Sequence, residues 1–264
     1  MRVGLIGNPI AHSRSPRMHN AAFAALGMNH TYELWETEPD DLAERVATIR
    51  QSEILGSNVT VPFKEKVVSL VDEVSETSRR IGAVNTIIPH DGKLIGDNTD
   101  AYGYAASIRE SYPGYTPERA LVLGAGGASR AVIVALQEMG AGEVIIVNRT
   151  LARAEELAAE LGASAAGWET LPDLMPTASL VTNATALGWY DERVLDESMV
   201  AMLPQGAIVT DLTYANTPLL QDAAAHGLHT LDGLGMLVYQ GVRSFELWFG
   251  ITPPVDVMWA AARG

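Results

Sequence analysis

Residues 120–136 read ALVLGAGGASRAVIVAL, which is an apolar strand, a glycine-rich turn and an apolar helix in direct succession. Gly124, Gly126 and Gly127 lie in the turn. Glycines there allow a tight bend and let backbone amides approach a pyrophosphate, whose charge is favoured at the N-terminus of the following helix. The dinucleotide-binding spacing G-x-G-x-x-G is incomplete, because Ser129 occupies its third glycine position. A glycine turn that serves only close strand–helix packing therefore remains an alternative.

The end of the next strand favours a particular dinucleotide. About 20 residues after such a turn, an acidic side chain would bind the ribose 2′-hydroxyl of NAD. In EVIIVNRTLARAEELA (143–158) this place holds polar and basic residues instead, which are Asn148, Arg149, Thr150 and Arg153. Guanidinium groups suit a 2′-phosphate, so the pattern predicts NADP. The alternative is an ordinary helix start, with Thr150 as N-cap and Arg153 paired with Glu156.

The composition excludes several kinds of chemistry. The chain has 264 residues, of which 47% are hydrophobic, and no cysteine. A chain of this length can bury a core without disulfides, and it offers no thiolate to a metal and no thiol nucleophile. The 18 basic and 32 acidic side chains give a net charge of −14, and the basic residues form no cluster. The charge balance argues against nucleic acid and anionic membrane surfaces as partners.

The chain begins with MRVGLIGNP, a short apolar run after Arg2 that is unlike a secretory signal. Gly, Pro or a charge interrupts every apolar run before it reaches the ~20 residues that a membrane helix needs. We therefore expect a soluble, cytoplasmic protein.

Short apolar or β-branched runs alternate with longer amphipathic stretches. Strands are expected at residues 2–6, 31–36, 55–59, 85–89, 120–123, 143–147, 179–182 and 207–211. Helices are expected at residues 16–27, 39–51, 64–70, 101–110, 127–139, 151–161 and 235–249. This alternation is typical of α/β proteins with mainly parallel sheets. A polar stretch between Asp100 and Thr116 indicates a domain boundary near residue 101.

Polar side chains interrupt the predicted strands of the first half. Ser15 before Pro16 is typical of a helix N-cap, which leaves Ser13 unexplained. Further polar residues lie in LGSNVTVPFKEK, GAVNTIIP and IGDNTDAYG, namely Asn58, Thr60, Lys64, Asn85 and Asp100. Each could be an ordinary turn residue or cap. Because α/β sheets bind ligands at the ends of their strands, we favour their convergence on one cleft that binds a small hydroxylated or carboxylated molecule.

Taken in order, SRSPRMHN, NVTVPFK, GAVNT, GDNTD, LVLGAGGA, NRT, NAT, DLTY and DGLGMLVYQG resemble the shikimate dehydrogenase family over nearly the whole chain. The resemblance implies a reversible NADP-dependent oxidation of shikimate to 3-dehydroshikimate, in chorismate and aromatic amino-acid biosynthesis. It also implies an α/β fold of two domains separated by a cleft. Residues 1–101 with 238–264 would form the substrate domain, and residues 102–237 a Rossmann-type NADP-binding domain.

The same resemblance implies a catalytic pair of Lys64 and Asp100. The implied substrate-binding residues are Ser13, Ser15, Thr60, Lys64, Asn85, Asp100, Tyr214 and Gln240. A lysine suits proton transfer because it can lose its proton when its surroundings lower its pKa, whereas arginine stays charged. Lysine is rare here, occurring only at Lys64, Lys66 and Lys93. A purely structural ion pair between Lys64 and Asp100 is the alternative.

The residues implied to bind NADP are Gly124, Ala125, Gly126, Gly127, Ala128, Asn148, Arg149, Thr150, Arg153, Asn183, Thr185, Leu212, Gly233 and Met236. Met236 and Gln240 are four residues apart, and so share one face of a helix. Core packing for Met236 and a buried, backbone-bonded amide for Gln240 are the ordinary interpretations. The six histidines show no metal-ligand spacing, so no metal is expected.

Two positions depart from the family pattern. Ala186 and Ala101 replace residues that are commonly Ser and Gly in the family. They leave open a dehydrogenase of quinate or an aminoshikimate. A second alternative is an NADP(H)-binding sensor that does not turn over, although an intact Lys64 and Asp100 argue against it. The family includes monomers and dimers, so a homodimer also stays open.

Overall fold

The computed structural model describes residues 1–187 and 193–264. The chain forms two compact units, one of residues Met1–Gly103 with Leu237–Gly264 and one of residues Tyr104–Met236. Both boundaries fall within helices, α4 (Asp100–Ser111) and α10 (Leu234–Phe249). The first unit is therefore discontinuous in sequence.

The first unit contains a mixed six-stranded sheet with the strand order β2-β1-β3-β5-β6-β4. The strands are β1 (Arg2–Gly7), β2 (Thr31–Glu36), β3 (Ile54–Val59), β4 (Glu73–Val74), β5 (Thr86–His90) and β6 (Lys93–Asp97). β5 runs antiparallel to β3 and β6, whereas the other neighbours are parallel. The helices wholly within this unit are α1 (Ser15–Ala25), α2 (Leu42–Thr48), α3 (Glu76–Ile81) and α11 (Val255–Arg263).

The core of the first unit lies between this sheet and its helices. One cluster of buried apolar side chains includes Ile6, Val46, Phe63 and Ile87, which come from β1, α2, the turn after β3, and β5. Gly4 makes room for a large ring, because a Cβ there would lie 2.5 Å from the indole of Trp35. The alternating and continuous apolar runs of the sequence thus become the buried faces of the strands.

The second unit contains a six-stranded sheet in which all neighbours are parallel, with the order β12-β11-β10-β7-β8-β9. The strands are β7 (Arg119–Leu123), β8 (Glu143–Asn148), β9 (Ser164–Gly167), β10 (Leu180–Asn183), β11 (Ile208–Asp211) and β12 (His229–Leu231). The helices wholly within it are α5 (Gly127–Glu138), α6 (Leu151–Leu161), α7 (Leu171–Leu174), α8 (Glu197–Val200) and α9 (Pro218–Ala225).

This strand order is that of dinucleotide-binding sheets. The first strand, β7, lies in the middle, and the chain builds outward first on one side and then on the other. Pairs Leu123↔Val147, Leu123↔Asn183 and Asn183↔Asp211 align the carboxyl ends of neighbouring strands at one edge. Ligands bind such sheets at this edge, where the strand order reverses.

The predicted α/β fold class is confirmed, but one predicted helix is wrong. Residues 64–70 form only a short 3-10 turn at Lys66–Ser69, because the carbonyl of Lys64 accepts its hydrogen bond from Val84 instead of starting a helix. Several short elements were not predicted, among them β9, whose sequence SAAG has small residues and no apolar alternation. In the part of the chain that the structure describes, no helix has the length and apolar character to cross a membrane.

Candidate functional site

Lys64 and Asp100 form an ion pair in the first unit. The turn after β3 places Lys64, and Asp100 is the first residue of α4. Lys64 Nζ donates to Asp100 Oδ2 at 2.6 Å, and the side chains are 17% and 7% exposed. Asn85 Nδ2 donates to the second carboxylate oxygen at 2.9 Å. Both oxygens of the carboxylate therefore have donors, as a mostly buried charge requires.

The backbone around Asp100 is fixed by side-chain amides. Asn85 Oδ1 accepts the backbone N–H of Thr99 at 2.8 Å, and Asn85 Nδ2 donates to Thr99 Oγ1 at 3.0 Å. Asn98 Oδ1 accepts the backbone N–H of Asp100 at 3.0 Å. Asn85 is thus a buried amide whose bonds hold the start of α4 under the Lys64–Asp100 pair.

A buried hydrogen-bonded network continues from Asn85 across the sheet. Thr86 Oγ1 donates to Asn85 Oδ1 at 2.8 Å, and Asn58 Nδ2 donates to Thr86 Oγ1 at 3.1 Å. Tyr32 Oη donates to Asn58 Oδ1 at 2.8 Å. Burial raises the pKa of Tyr32, and a hydrogen bond with the Ser15 side chain lowers it by a smaller amount. The network therefore links two predicted site residues, Ser15 and Asn85, through Asn58, which the sequence also singled out, and through Tyr32 and Thr86, which were not predicted.

The prediction that Ser15 is the N-cap of α1 is wrong. The helix begins at Ser15, and its N-cap is Arg14, whose backbone is already helical with φ −85° and ψ −8°. Ser13 Oγ accepts the backbone N–H of Ser15 at 3.2 Å, so the serine that lacked a local role has one. Ser15 is buried, and Ser13 is partly exposed on the loop before the helix.

Thr60 and Gln240 also belong to the first unit. Thr60 follows β3, where its backbone N–H bonds the carbonyl of Ile6 at 2.8 Å, and it is partly exposed. Gln240 lies on α10, and its Nε2 donates to the carbonyl of Leu237 at 2.7 Å. In this structure Gln240 is the buried, backbone-bonded amide of the ordinary interpretation.

The second unit has a cavity of about 220 Å³ at the carboxyl edge of its parallel sheet. Its lining residues come from the turn after β7, from the ends of β8 and β9, and from the loop after β10. They are Gly124, Ala125, Gly126, Asn148, Arg149, Arg153, Trp168, Ala184, Thr185, Ala186 and Leu187. Among these described lining residues there is no carboxylate, so the cavity suits an anion despite the net charge of the chain.

The glycine turn leaves room at this cavity. Gly124 has φ +106°, a conformation that favours glycine, and a Cβ there would lie 3.0 Å from Thr185. A Cβ at Gly126 would meet no atom within 4 Å, so this position opens onto free space. Gly127 and Ala128 form the first turn of α5, whose N–H groups are the kind that bind phosphate.

Arg149 and Arg153 stand beside the turn, and their guanidinium groups have no partner among the described residues. Within residues 1–187 and 193–264, neither guanidinium forms a hydrogen bond or an ion pair, so the alternative pairing of Arg153 with Glu156 is not found. Thr150 is the N-cap of α6, but its side chain makes no capping bond. Asn148 Nδ2 donates to the carbonyl of Thr150 at 2.9 Å and orders this segment. Both charges are therefore available to a ligand.

Asn183 shapes the loop on the other side of the turn. Its Oδ1 accepts from Thr185 N at 3.0 Å and from Thr185 Oγ1 at 2.7 Å, and its Nδ2 donates to the carbonyl of Leu187 at 3.0 Å. Asn183 Nδ2 also donates to Asp211 Oδ2 at 3.0 Å. Asn183 is itself buried, and it acts on the cavity by holding Thr185 and Leu187 in its wall.

The remaining predicted cofactor residues lie near the last strands of the second unit. Leu212 follows β11, and a Cβ on Gly233 would overlap the Leu212 carbonyl, so this close approach requires glycine. Met236 is partly buried on α10. Tyr214, predicted to bind substrate, is partly exposed on the loop after β11 in the same unit.

Sequence reasoning missed several residues that take part in these two groups. Thr99, Thr86 and Ser244 belong to the buried network, and Trp168 lines the cavity. Asp211 lies in the DLTY motif but was not singled out, although its position at a strand end was a usable signal. Among the described residues, no three His, Asp or Glu side chains are arranged to hold a metal ion.

Comparisons with known proteins place the chain in a family. Residues 5–87, 106–223 and 233–263 match the family models described as Shikimate dehydrogenase substrate binding domain, Shikimate / quinate 5-dehydrogenase and Shikimate 5'-dehydrogenase C-terminal domain.

Similar proteins support the same placement. The NADP(+) shikimate dehydrogenase of Symbiobacterium thermophilum is 43% identical over 98% of this chain and 92% of its own length. The shikimate 5-dehydrogenase of Thermus thermophilus, solved with NADP(H) and shikimate, has 40% identity and a TM-score of 0.91 over 100% of this chain and 98% of its own. The quinate dehydrogenase of Corynebacterium glutamicum, solved with NAD, has 31% identity and a TM-score of 0.90 over 99% of this chain and 98% of its own. The chain belongs to the shikimate dehydrogenase family.

Proposed function

We propose that this protein catalyses the reversible NADP-dependent oxidation of shikimate to 3-dehydroshikimate, in chorismate and aromatic amino-acid biosynthesis. The observation that carries the proposal is the Lys64–Asp100 pair, with Nζ and Oδ2 2.6 Å apart. It occurs in a chain that is 43% identical to a shikimate dehydrogenase over nearly its full length. The first unit binds the substrate and the second binds NADP.

Lys64 is the group that exchanges the proton. Oxidation of a secondary alcohol removes the hydroxyl proton as hydride leaves the carbon, so a proton acceptor must lie within hydrogen-bond reach of the oxygen. Lys64 Nζ takes this proton in the forward direction and returns it in the reverse one. Asp100 contacts the same hydroxyl and positions Nζ. The 2.9 Å hydrogen bond that Asn85 donates to Asp100 keeps the carboxylate from rotating.

The substrate carboxylate binds Ser13 and Ser15, and the ring hydroxyls bind Thr60, Asn85, Asp100 and Gln240. Tyr214 is a further substrate-binding residue. Several of these side chains have other partners in the structure. Among them, Ser13 Oγ accepts the backbone N–H of Ser15, and Gln240 Nε2 donates to the carbonyl of Leu237. A hydroxyl can accept one bond and donate another, so Ser13 keeps its donor for a carboxylate. Gln240 Nε2 carries two N–H groups and gives one to Leu237, so Gln240 keeps a donor for a substrate hydroxyl.

The residues of the second unit fit NADP. Gly126 opens onto free space, α5 offers its N-terminal amides, and Arg149 and Arg153 have no competing partner among the described residues. Bound NADP supplies the hydride acceptor. Its pyrophosphate would be held by Gly124, Ala125, Gly126, Gly127 and Ala128, and its 2′-phosphate by Asn148, Arg149, Thr150 and Arg153. Asn183, Thr185, Leu212, Gly233 and Met236 would border the rest of the dinucleotide.

A kinetic matrix tests this function. Shikimate and quinate are each assayed against NADP and NAD by the absorbance of the reduced cofactor. The expected result is the highest kcat/KM with shikimate and NADP. A higher value with quinate would favour the second candidate, a quinate dehydrogenase, which the similarity to the enzyme of C. glutamicum supports. A dehydrogenase of an aminoshikimate would be found by adding that substrate. Absence of turnover with all of these substrates would favour the alternative that the protein is an NADP(H)-binding sensor.

Two further properties belong to the proposal. The enzyme works in the cytoplasm, where its substrate and NADP are metabolites, and fractionation of the source cells would test this. Its assembly state, monomer or homodimer, would follow from sedimentation equilibrium.

A further inference from the structure

Trp168 lies at the same edge of the parallel sheet as Arg149. Asn148 and Gly167 are paired at the ends of β8 and β9. Arg149 and Trp168 therefore each follow directly after the last paired residue of neighbouring strands. Both side chains line the cavity of about 220 Å³ in the second unit.

The indole of Trp168 is held in place by packing on the apolar core of the second unit. It is partly buried and packs against the apolar cluster that contains Leu171 and Met175. The 3-10 turn Trp168–Thr170 is closed by a bond from Thr170 Oγ1 to the carbonyl of Gly167 at 2.7 Å. A ring that is restrained in this way loses little conformational entropy when a ligand packs against it.

The chemistry of the wall points to a flat, apolar ligand group. Trp168 is the one aromatic residue among the described lining residues, and small or aliphatic side chains stand in the wall with it, Ala184, Ala186 and Leu187. A purine has two apolar faces that stack favourably on an indole. In adenosine 2′-phosphate, the base and the phosphate are attached to adjacent ribose carbons. A phosphate held at Arg149 therefore brings the base to the neighbouring wall.

We propose that Trp168 binds the adenine ring of NADP by stacking, while Arg149 and Arg153 bind the 2′-phosphate. This inference rests on the proposed function. The stacking and the phosphate contacts contribute separately to affinity, because the base is common to NAD and NADP whereas the 2′-phosphate is not. Trp168 sets the affinity for the adenosine half of either dinucleotide, and the arginines set the choice between them.

Calorimetric titration with adenosine 2′,5′-bisphosphate tests the role of Trp168, since this probe lacks the nicotinamide. Trp168→Leu is expected to raise the Kd about tenfold, the loss of one base–aromatic stack. Trp168→Phe keeps an aromatic ring, so its Kd stays within about threefold of the wild-type value. In Trp168→Leu the KM for NADP and the KM for NAD are expected to rise by the same factor. Trp259→Leu, in the first unit, is the matched control.

Tryptophan fluorescence gives a second readout that does not depend on Trp168→Leu folding well. Adenosine 2′,5′-bisphosphate is expected to change the emission of the wild type, and most of this change should be lost in Trp168→Phe. Equal affinity of wild type and Trp168→Leu, or an undiminished emission change in Trp168→Phe, would overturn the stacking proposal alone. Absence of binding by the wild type would overturn the proposed function and the stacking proposal with it.

Discussion

Asn183 Nδ2 donates to Oδ2 of Asp211 at 3.0 Å and so ties the ends of the parallel strands β10 and β11 together. Asp211 is 1% exposed, and its carboxylate also accepts from Thr213 and Thr217 through their hydroxyls at 2.9 and 3.0 Å. These hydrogen bonds stabilise the buried charge. Since Asn183 holds the cavity loop, Asp211 acts on the cavity through it.

Replacement of Asp211 should therefore affect both stability and cofactor affinity. Asp211→Ala leaves buried donors of Asn183, Thr213 and Thr217 unsatisfied, which costs about 2–4 kcal/mol of unfolding free energy. Asp211→Asn keeps one acceptor and should lose less. Urea unfolding and NADPH titration measure the two effects. An Asp211→Ala variant with wild-type stability would contradict the assigned role of these bonds.

Replacement of Lys64 should stop turnover without preventing cofactor binding. Lys64→Ala is expected to lower kcat by about 10²–10⁴-fold, the usual loss of a general acid–base group. The Kd for NADPH should stay within about twofold, because the cofactor-binding groups are in the other unit. Lys66→Ala is the control, since Lys66 is exposed two residues away. If Lys64→Ala retained activity, Lys64 would not be the proton-transfer group.

The motifs allowed prediction where local spacing decides the structure. Gly124 and the start of α5 follow from the glycine turn, and α6 was predicted with its observed bounds, Leu151–Leu161. The Lys64–Asp100 pair required the family resemblance, because 36 residues separate its members. Nothing in the spacing alone distinguishes a pair from two unrelated turn residues.

Other features depend on contacts that a local pattern does not contain. Trp168 reaches the cavity because β9 pairs with β8, and the sequence SAAG gives little sign of a strand. Ser15 was wrongly predicted to be the N-cap of α1, because Ser-Pro is a common helix start. In the structure Arg14 is the N-cap and already has a helical backbone. Ser244 joins the network only because α10 packs over β5, far along the chain.

Replacement of Arg149 should change the choice of cofactor. Arg149→Ala removes a charge-assisted bond to the 2′-phosphate, so the KM for NADP is expected to rise about 10- to 100-fold. The KM for NAD, which lacks this phosphate, should change little. Arg109→Ala removes an exposed arginine of α4 and serves as the control for net charge. An equal rise for both cofactors would contradict the assignment of Arg149 to the phosphate.

His19 should make the protein less stable in acid. Its ring is fully buried, stacks on Tyr32 with centroids 4.5 Å apart, and has neither nitrogen hydrogen-bonded in the described structure. Burial lowers the pKa of His19 from 6.5 to about 3. The unfolded chain therefore binds a proton more readily than the folded chain, and the contribution to stability is complete above pH 6.5 and is lost as the pH falls towards 3. Over that range the loss is of the order of 4 kcal/mol.

His19→Phe keeps a flat ring in the stack with Tyr32 and Phe245 and removes the titrating group. The variant should lose less unfolding free energy than the wild type as the pH falls from 6.5 towards 3, as measured by urea unfolding at each pH. The readout is the slope with pH, so a general change in packing does not imitate it. His90→Phe replaces an exposed histidine and should keep the wild-type slope. Identical slopes for His19→Phe and the wild type would show that His19 is not the source of the acid sensitivity.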